Sequence, residues 1–174
     1  MKNVKVPILG FAAFSGTGKT TLLANLIPIL RQSGLRIGLI KHSHHNFDID
    51  KPGKDSHRLR SAGASPVMLV SRFRRAVITE YKDADEPRLD DQLALFDQSA
   101  IDLLLVEGFK KERFPKIELH RPSLEKPLLY PDDDTIIAVA SDCELTLPSR
   151  LVLLDINRPG QVADFIITRF LKAS

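Results

Sequence analysis

Short apolar runs recur along this chain, separated by stretches whose apolar residues fall at helical spacing. Ile8 to Phe14 reads as a buried strand. Leu22, Leu23, Leu26, Ile27 and Leu30 then predict an amphipathic helix from about Thr20 to Ser33, with Gly34 as its stop and Pro28 as a kink. Arg36 to Lys41 predicts a second buried strand. A polar loop from His42 to Gly53 follows, then a short helix from Asp55 to Ala62. Val67 to Ser71 and Ala76 to Tyr81 predict a hairpin turning at Arg72-Phe73-Arg74. Beyond the polar stretch Lys82 to Pro87, Leu89 to Phe96 reads as helix and Ile101 to Val106 as another buried strand. Lys116 to His120 alternates like a strand, and the proline- and acid-rich segment Arg121 to Asp134 reads as loop. Thr135 to Ala140 and Leu151 to Leu154 are two more apolar strands, and Pro159 opens a final amphipathic helix.

Apolar strands interleaved with helices predict an α/β fold, with a mainly parallel sheet covered by helices on both faces and an extra antiparallel hairpin. One nucleotide-binding domain over residues 1–174, with a hairpin insertion at about 66–82, accommodates all of these elements. In such sheets ligands sit at the carboxyl ends of the strands. Those ends carry Ser15 to Thr20, Lys41-His42, Glu107-Gly108, Ser141-Asp142 and Asp155.

The first strand end is the most informative. Ala13-Phe14-Ser15-Gly16-Thr17-Gly18-Lys19-Thr20 is strand, tight loop and helix start, with Gly-Lys-Thr at the bend. This is the pattern of a phosphate-binding loop. The glycines let backbone N–H groups close around phosphates, and the helix N-terminus adds unpaired donors and partial positive charge. Ser15, Gly16, Thr17, Gly18, Lys19, Thr20 and Thr21 are therefore the expected nucleotide-binding residues. Lys19 supplies a compact cation, and the Thr20 hydroxyl is a Mg²⁺ ligand. The general pattern has glycine where this chain has Ala13, which alanine can replace if φ there is negative.

Glu107 ends an apolar strand, where an acidic residue faces Mg²⁺ and can orient an attacking water; the plainer reading is a cap or surface carboxylate. Gly108 beside it permits close approach to a phosphate. Asp48 and Asp50 in the polar loop are candidate Mg²⁺ contacts through water, and Lys41 adds positive charge. His42, His44 and His45 invite a zinc reading, against which stands the sequence-distant single cysteine; a solvated loop is the alternative. Asp142 could accept the N1–H and N2–H₂ of guanine as a bidentate pair, which would select GTP, or could simply cap a turn. The Asn-Lys-x-Asp guanine motif is absent. Arg72-Phe73-Arg74-Arg75 reads as a solvated hairpin tip or an anion-docking point. No arginine stands out as a finger for the transferring phosphate, so hydrolysis is expected to be slow.

Composition narrows the class only a little. The chain has 174 residues, 43% apolar and 27% charged, with a net charge of +3 from 25 basic and 22 acidic residues. That mild excess suits small anions and makes no case for nucleic acid. No apolar run is long enough for a membrane span, and Met1 to Lys5 leads straight into the first strand, leaving no room for a signal peptide. A single cysteine, Cys143, excludes an internal disulfide and fits a reducing cytoplasm.

Several segments together resemble the molybdopterin-guanine dinucleotide biosynthesis adaptor (MobB) family. They are Phe14-Ser-Gly-Thr-Gly-Lys-Thr-Thr, Leu39-Ile-Lys41-His-Ser-His-His45, Asp48-Ile-Asp50-Lys-Pro-Gly-Lys-Asp55-Ser56, Leu105-Val-Glu107-Gly-Phe-Lys110 and Ala138-Val-Ala-Ser-Asp142. The resemblance implies a homodimeric, SIMIBI-class phosphate-loop protein that binds GTP with Mg²⁺ and hydrolyses it weakly. It would assist the guanylyltransferase MobA, which attaches GMP to molybdopterin; molybdopterin itself is a candidate ligand. The family's phosphate-loop role falls on Gly16, Gly18, Lys19 and Thr20, and its strand-end acid on Glu107. The dimer interface is expected on the hairpin Val67 to Tyr81 and on the strand Lys116 to His120. Rival readings are a small-molecule kinase, which would need a lid with arginines, and a metal-delivery NTPase using His42, His44 and His45.

Overall fold

Ile8, Leu9, Phe11 and Ala12 leave no polar face on the first strand, and β1 (Ile8–Ala12) is buried along its whole length. A strand of this kind needs neighbours on both edges and cover on both faces. In the computed structural model, which describes residues 1–43, 47–81 and 85–173, β1 has both. The chain forms two compact units, residues 1–42 with 88–174, and residues 43–87.

The larger unit holds a six-stranded sheet in the order β2-β5-β1-β6-β7-β8. Its strands are β1, β2 (Ile37–Lys41), β5 (Leu103–Glu107), β6 (Lys116–His120), β7 (Ile136–Ser141) and β8 (Val152–Asp155). Every neighbouring pair is parallel, so all six carboxyl ends share one rim. One face is covered by α1 (Lys19–Gln32), whose Leu22, Leu23, Leu26 and Leu30 pack on Leu9, Phe11, Leu103 and Leu105. Beside it lies α4 (Pro159–Phe165), opened by Pro159 and continued by a π turn (Ile166–Phe170) and α5 (Leu171–Ala173). Pro28 lies inside α1 without ending it. The other face is covered by the short α3 (Leu89–Leu95), whose Leu89 and Leu93 pack with Ile8, Leu104, Val106, Phe109 and Phe114. The parallel, doubly covered sheet is the one the apolar periodicity predicts.

β6 corrects one expectation. It is not an outlying strand available to a partner. It is fully buried and paired on both edges, to β1 and to β7. Its polar alternation is misleading because Lys116 and Glu118 find partners inside. Lys116 Nζ donates to Glu112 O at 2.7 Å, Thr135 Oγ1 at 2.8 Å and Asp133 Oδ2 at 3.0 Å. Glu118 accepts the backbone N–H groups of Leu129 at 2.7 Å and Tyr130 at 2.9 Å. Burial nonetheless pushes the Glu118 carboxyl up, against the pull of those two bonds.

The second unit contains α2 (Asp55–Ser61) and an antiparallel hairpin, β3 (Val67–Val70) with β4 (Arg75–Ile78). The turn between the strands is closed by the Ser71 hydroxyl, which accepts the N–H groups of Phe73 and Arg74, each at 3.2 Å. Among the described residues of this unit the one buried side chain is Asp50. Arg60 binds it at 2.9 Å, and also Asp48 at 2.8 Å and Glu80 at 2.5 Å. Burial alone would raise the Asp50 carboxyl; the hydrogen bond and charge of Arg60 outweigh that and hold it below its usual range.

Candidate nucleotide-binding site

The loop after β1 has the conformation its glycines permit. Gly16 and Gly18 take φ of 82° and 96°, the left-handed region that disfavours side chains. Ala13 is buried and does not adopt a positive φ, so alanine is accommodated there. Thr17 is buried, and its hydroxyl donates to Phe14 O at 2.8 Å, which ties the loop across its own base. Ser15, Gly16, Thr20 and Thr21 face solvent. Gly18 caps α1 without a side-chain hydrogen bond, and no acidic residue stands in the first turn. The first-turn N–H groups are therefore offered to an external anion.

Glu107 ends β5, directly beside β1 and in register with Phe11 and Lys41. Its carboxylate lies 3.5 Å from Lys19 Nζ and 3.3 Å from Lys41 Nζ. Sequence reasoning named Lys19, Lys41 and Glu107 separately, and the parallel register brings them together. Gly108 follows with φ of 96°; a Cβ there would stand 2.7 Å from the Cβ of His42, so the crossing of these two segments needs glycine. Phe109 then takes φ of 50° and stacks on the His42 ring at 4.7 Å. Lys110 reaches over the ring of Phe14 in the loop, at 5.4 Å to the centroid. Burial, helped by the charge of Lys19, lowers its ammonium pKa.

Asp142 stands just after β7 on the same rim, and it is not alone there. Arg121, the residue after β6, donates from Nη1 to Asp142 Oδ2 at 2.5 Å, from Nη2 to Asn157 Oδ1 at 3.0 Å and from Nε to Thr17 O at 3.0 Å. Sequence reasoning placed Arg121 in a loop and missed it, as it missed Lys110. The signal was available: once β6 joins the parallel set, Arg121 sits at a strand end like Glu107 and Asp142.

The remaining candidates have partners or settings of their own. Asp48 and Asp50 belong to the second unit, where both are bound by Arg60. His44 and His45 lie outside the described residues, and among the described residues no group of three or more His, Cys, Asp or Glu is arranged to hold a metal. Arg72 stacks on Phe73 at the hairpin tip, 4.4 Å from the ring centroid. Cys143 is exposed. No helix among the described residues is long and apolar enough to cross a membrane.

The likeness to known proteins runs through this whole arrangement. A family model described as "Molybdopterin guanine dinucleotide synthesis protein B" matches residues 8–142. The molybdopterin-guanine dinucleotide biosynthesis adapter protein of Escherichia coli K12 is 50% identical over 163 residues, covering 93% of this chain and 92% of that protein. Its Haemophilus influenzae counterpart is 49% identical over 166 residues, covering 94% and 89%. A crystal structure of molybdopterin-guanine biosynthesis protein B superposes with a TM-score of 0.70 at 26% identity, covering 92% of this chain and 98% of that one. With the family pattern spanning the phosphate loop, the strand-end acid and the far rim at Asp142, this chain belongs to the MobB family of molybdopterin-guanine dinucleotide biosynthesis adapter proteins.

Proposed function

We propose that this chain is a GTP-binding adaptor with weak GTPase activity that assists the attachment of GMP to molybdopterin. The observation that carries the nucleotide reading is the bare N-terminus of α1 with Lys19 at its start and Glu107 3.5 Å away. Donors without an acceptor, next to a lysine and a strand-end carboxylate, suit a triphosphate with its cation. Ser15, Gly16, Thr17, Gly18, Lys19 and Thr21 cradle the phosphates, with Gly108 bordering the outermost one. Thr20 and Glu107 hold Mg²⁺, and Glu107 with Lys19 serves the slow hydrolysis. Asp48 and Asp50, the other carboxylates considered for Mg²⁺, are engaged by Arg60 within the second unit. Asp142 reads the guanine edge.

In this reading the chain works in the cytoplasm as a homodimer beside the guanylyltransferase MobA, with molybdopterin presented at or near the pair. The names of its relatives support the pathway, and the hairpin's exposed apolar residues support self-association. Titration calorimetry tests the core of the reading. GTP should bind more tightly than ATP. Lys19→Ala should lose about ten- to a hundredfold in GTP affinity without unfolding, the worth of one charge-assisted contact. Asp142→Ala should lower GTP affinity by a similar factor and leave ATP nearly unchanged. Unaltered GTP binding in a folded Lys19→Ala variant would refute the assignment.

A further inference from the structure

Arg121 touches three separate segments of the rim: the phosphate loop at Thr17, the β7 end at Asp142 and the turn after β8 at Asn157. We infer that Arg121 is a positioning residue for nucleotide choice, holding Asp142 in base-reading geometry and tying it to the phosphate loop. The inference rests on the reading of Asp142 as the guanine contact.

The chemistry favours this role. A guanidinium is planar and carries N–H donors in a fixed fork. Here Nε, Nη1 and Nη2 each meet an acceptor, so the group is fixed both in position and in plane. Asp142, by contrast, sits on a turn and would be free to change rotamer without a partner. An ionised carboxylate has about four lone-pair sites, so the bond from Arg121 to Oδ2 leaves room for a donor pair from a base. Arg121 also runs along the start of α1: a Cβ on Gly18 would lie 3.8 Å from its Nη2 and 3.9 Å from its Nε. The carboxylate that selects the base is thus referenced to the loop that grips the phosphates. A lysine could carry the charge but not the three-way fork.

The test compares affinities for GTP, ATP and inorganic triphosphate in the wild type, Arg121→Gln, Arg121→Lys, Asp142→Ala and the Arg121→Gln/Asp142→Ala double variant. Arg121→Gln should cut the GTP-over-ATP preference roughly tenfold, the scale of one charge-assisted bond, and Arg121→Lys should not restore it. Any loss from releasing the Thr17 carbonyl falls on GTP, ATP and triphosphate alike, so the GTP-over-ATP ratio isolates the Asp142 role. In the Asp142→Ala background, Arg121→Gln should leave the preference where it is, because Arg121 acts through Asp142. Equal weakening of GTP, ATP and triphosphate in Arg121→Gln would overturn the inference and make Arg121 a loop support. A preference lost in Asp142→Ala but kept in Arg121→Gln would overturn the Arg121 role alone. A preference kept in Asp142→Ala would overturn the Asp142 reading itself, and the holding role with it.

Discussion

Glu107 is the acid between two lysines, and this sets what its removal should do. Its side chain is mostly buried, with 13% exposure, and its Oε1 faces both Lys19 and Lys41. A triphosphate drawing on Lys19 competes with that carboxylate. Glu107→Gln keeps the shape and removes the charge, so GTP binding should persist while hydrolysis falls by about 10²-fold or more, the range for a group that orients the attacking water. Phosphate release under single-turnover conditions measures it; unchanged release would separate Glu107 from the chemistry. At this scale the sequence was legible wherever the local backbone decides the geometry. Ser15 to Thr21 could be read directly, because strand, glycines, lysine and helix start are consecutive and physically linked. Glu107 could be read because four consecutive apolar residues, Leu103 to Val106, precede it. Lys110 and Arg121 could not: each matters for what it touches across the fold, the Phe14 ring and the Thr17 carbonyl, and no local spacing encodes those contacts.

Among the elements, β6 shows where periodicity misleads. Alternation of polar and apolar residues normally marks a strand with one wet face. In β6 the polar face is dry, and Lys116, at 2% side-chain exposure, has its charge and donors matched by Asp133, Thr135 and a backbone carbonyl. The ammonium also lies 4.8 Å from the centroid of the Phe114 ring. Sequence alone cannot distinguish a wet face from a satisfied buried one, because the partners come from segments on both sides of the strand, Glu112 before it and Leu129 to Thr135 after it. Lys116→Met should preserve the packing of the stem but strand Asp133 and the Glu112 carbonyl. The expected destabilisation is about 1–3 kcal/mol, read as a lower urea midpoint at unchanged m-value. A midpoint equal to wild type would mean that the network contributes no net stability. The apolar runs of β1 (Ile8–Ala12) and of β5 before Glu107 (Leu103 to Val106) fell where expected, since nothing but burial suits them.

For the molecule as a whole, the contrast between the two units governs assembly. The unit of residues 43–87 is organised around an ion network and a two-stranded hairpin, and a lone hairpin is marginally stable in water. Met68, Val70 and Val77 are exposed on the hairpin at 57%, 71% and 50%, and Phe73 at its tip at 76%. Met68 and Val77 are direct cross-strand partners, so they share one face. Pairing with a two-fold copy would cover that face. The protein should therefore sediment as a dimer at micromolar concentration, and Met68→Lys should shift it to monomer while GTP binding is retained. A wild type that sediments as a monomer with or without nucleotide would refute the proposed interface. The chain connectivity adds a consequence of another kind. Residues 43–87 form a single excursion from the unit that holds the six-stranded sheet, leaving after His42 and returning before Arg88. The entropy of closing such an excursion grows only with the logarithm of its length, by roughly 0.6 kcal/mol per doubling. Lengthening, shortening or resurfacing this segment therefore carries little entropic penalty for the sheet, and the exposed face of the hairpin can change while the phosphate loop and its rim stay as they are.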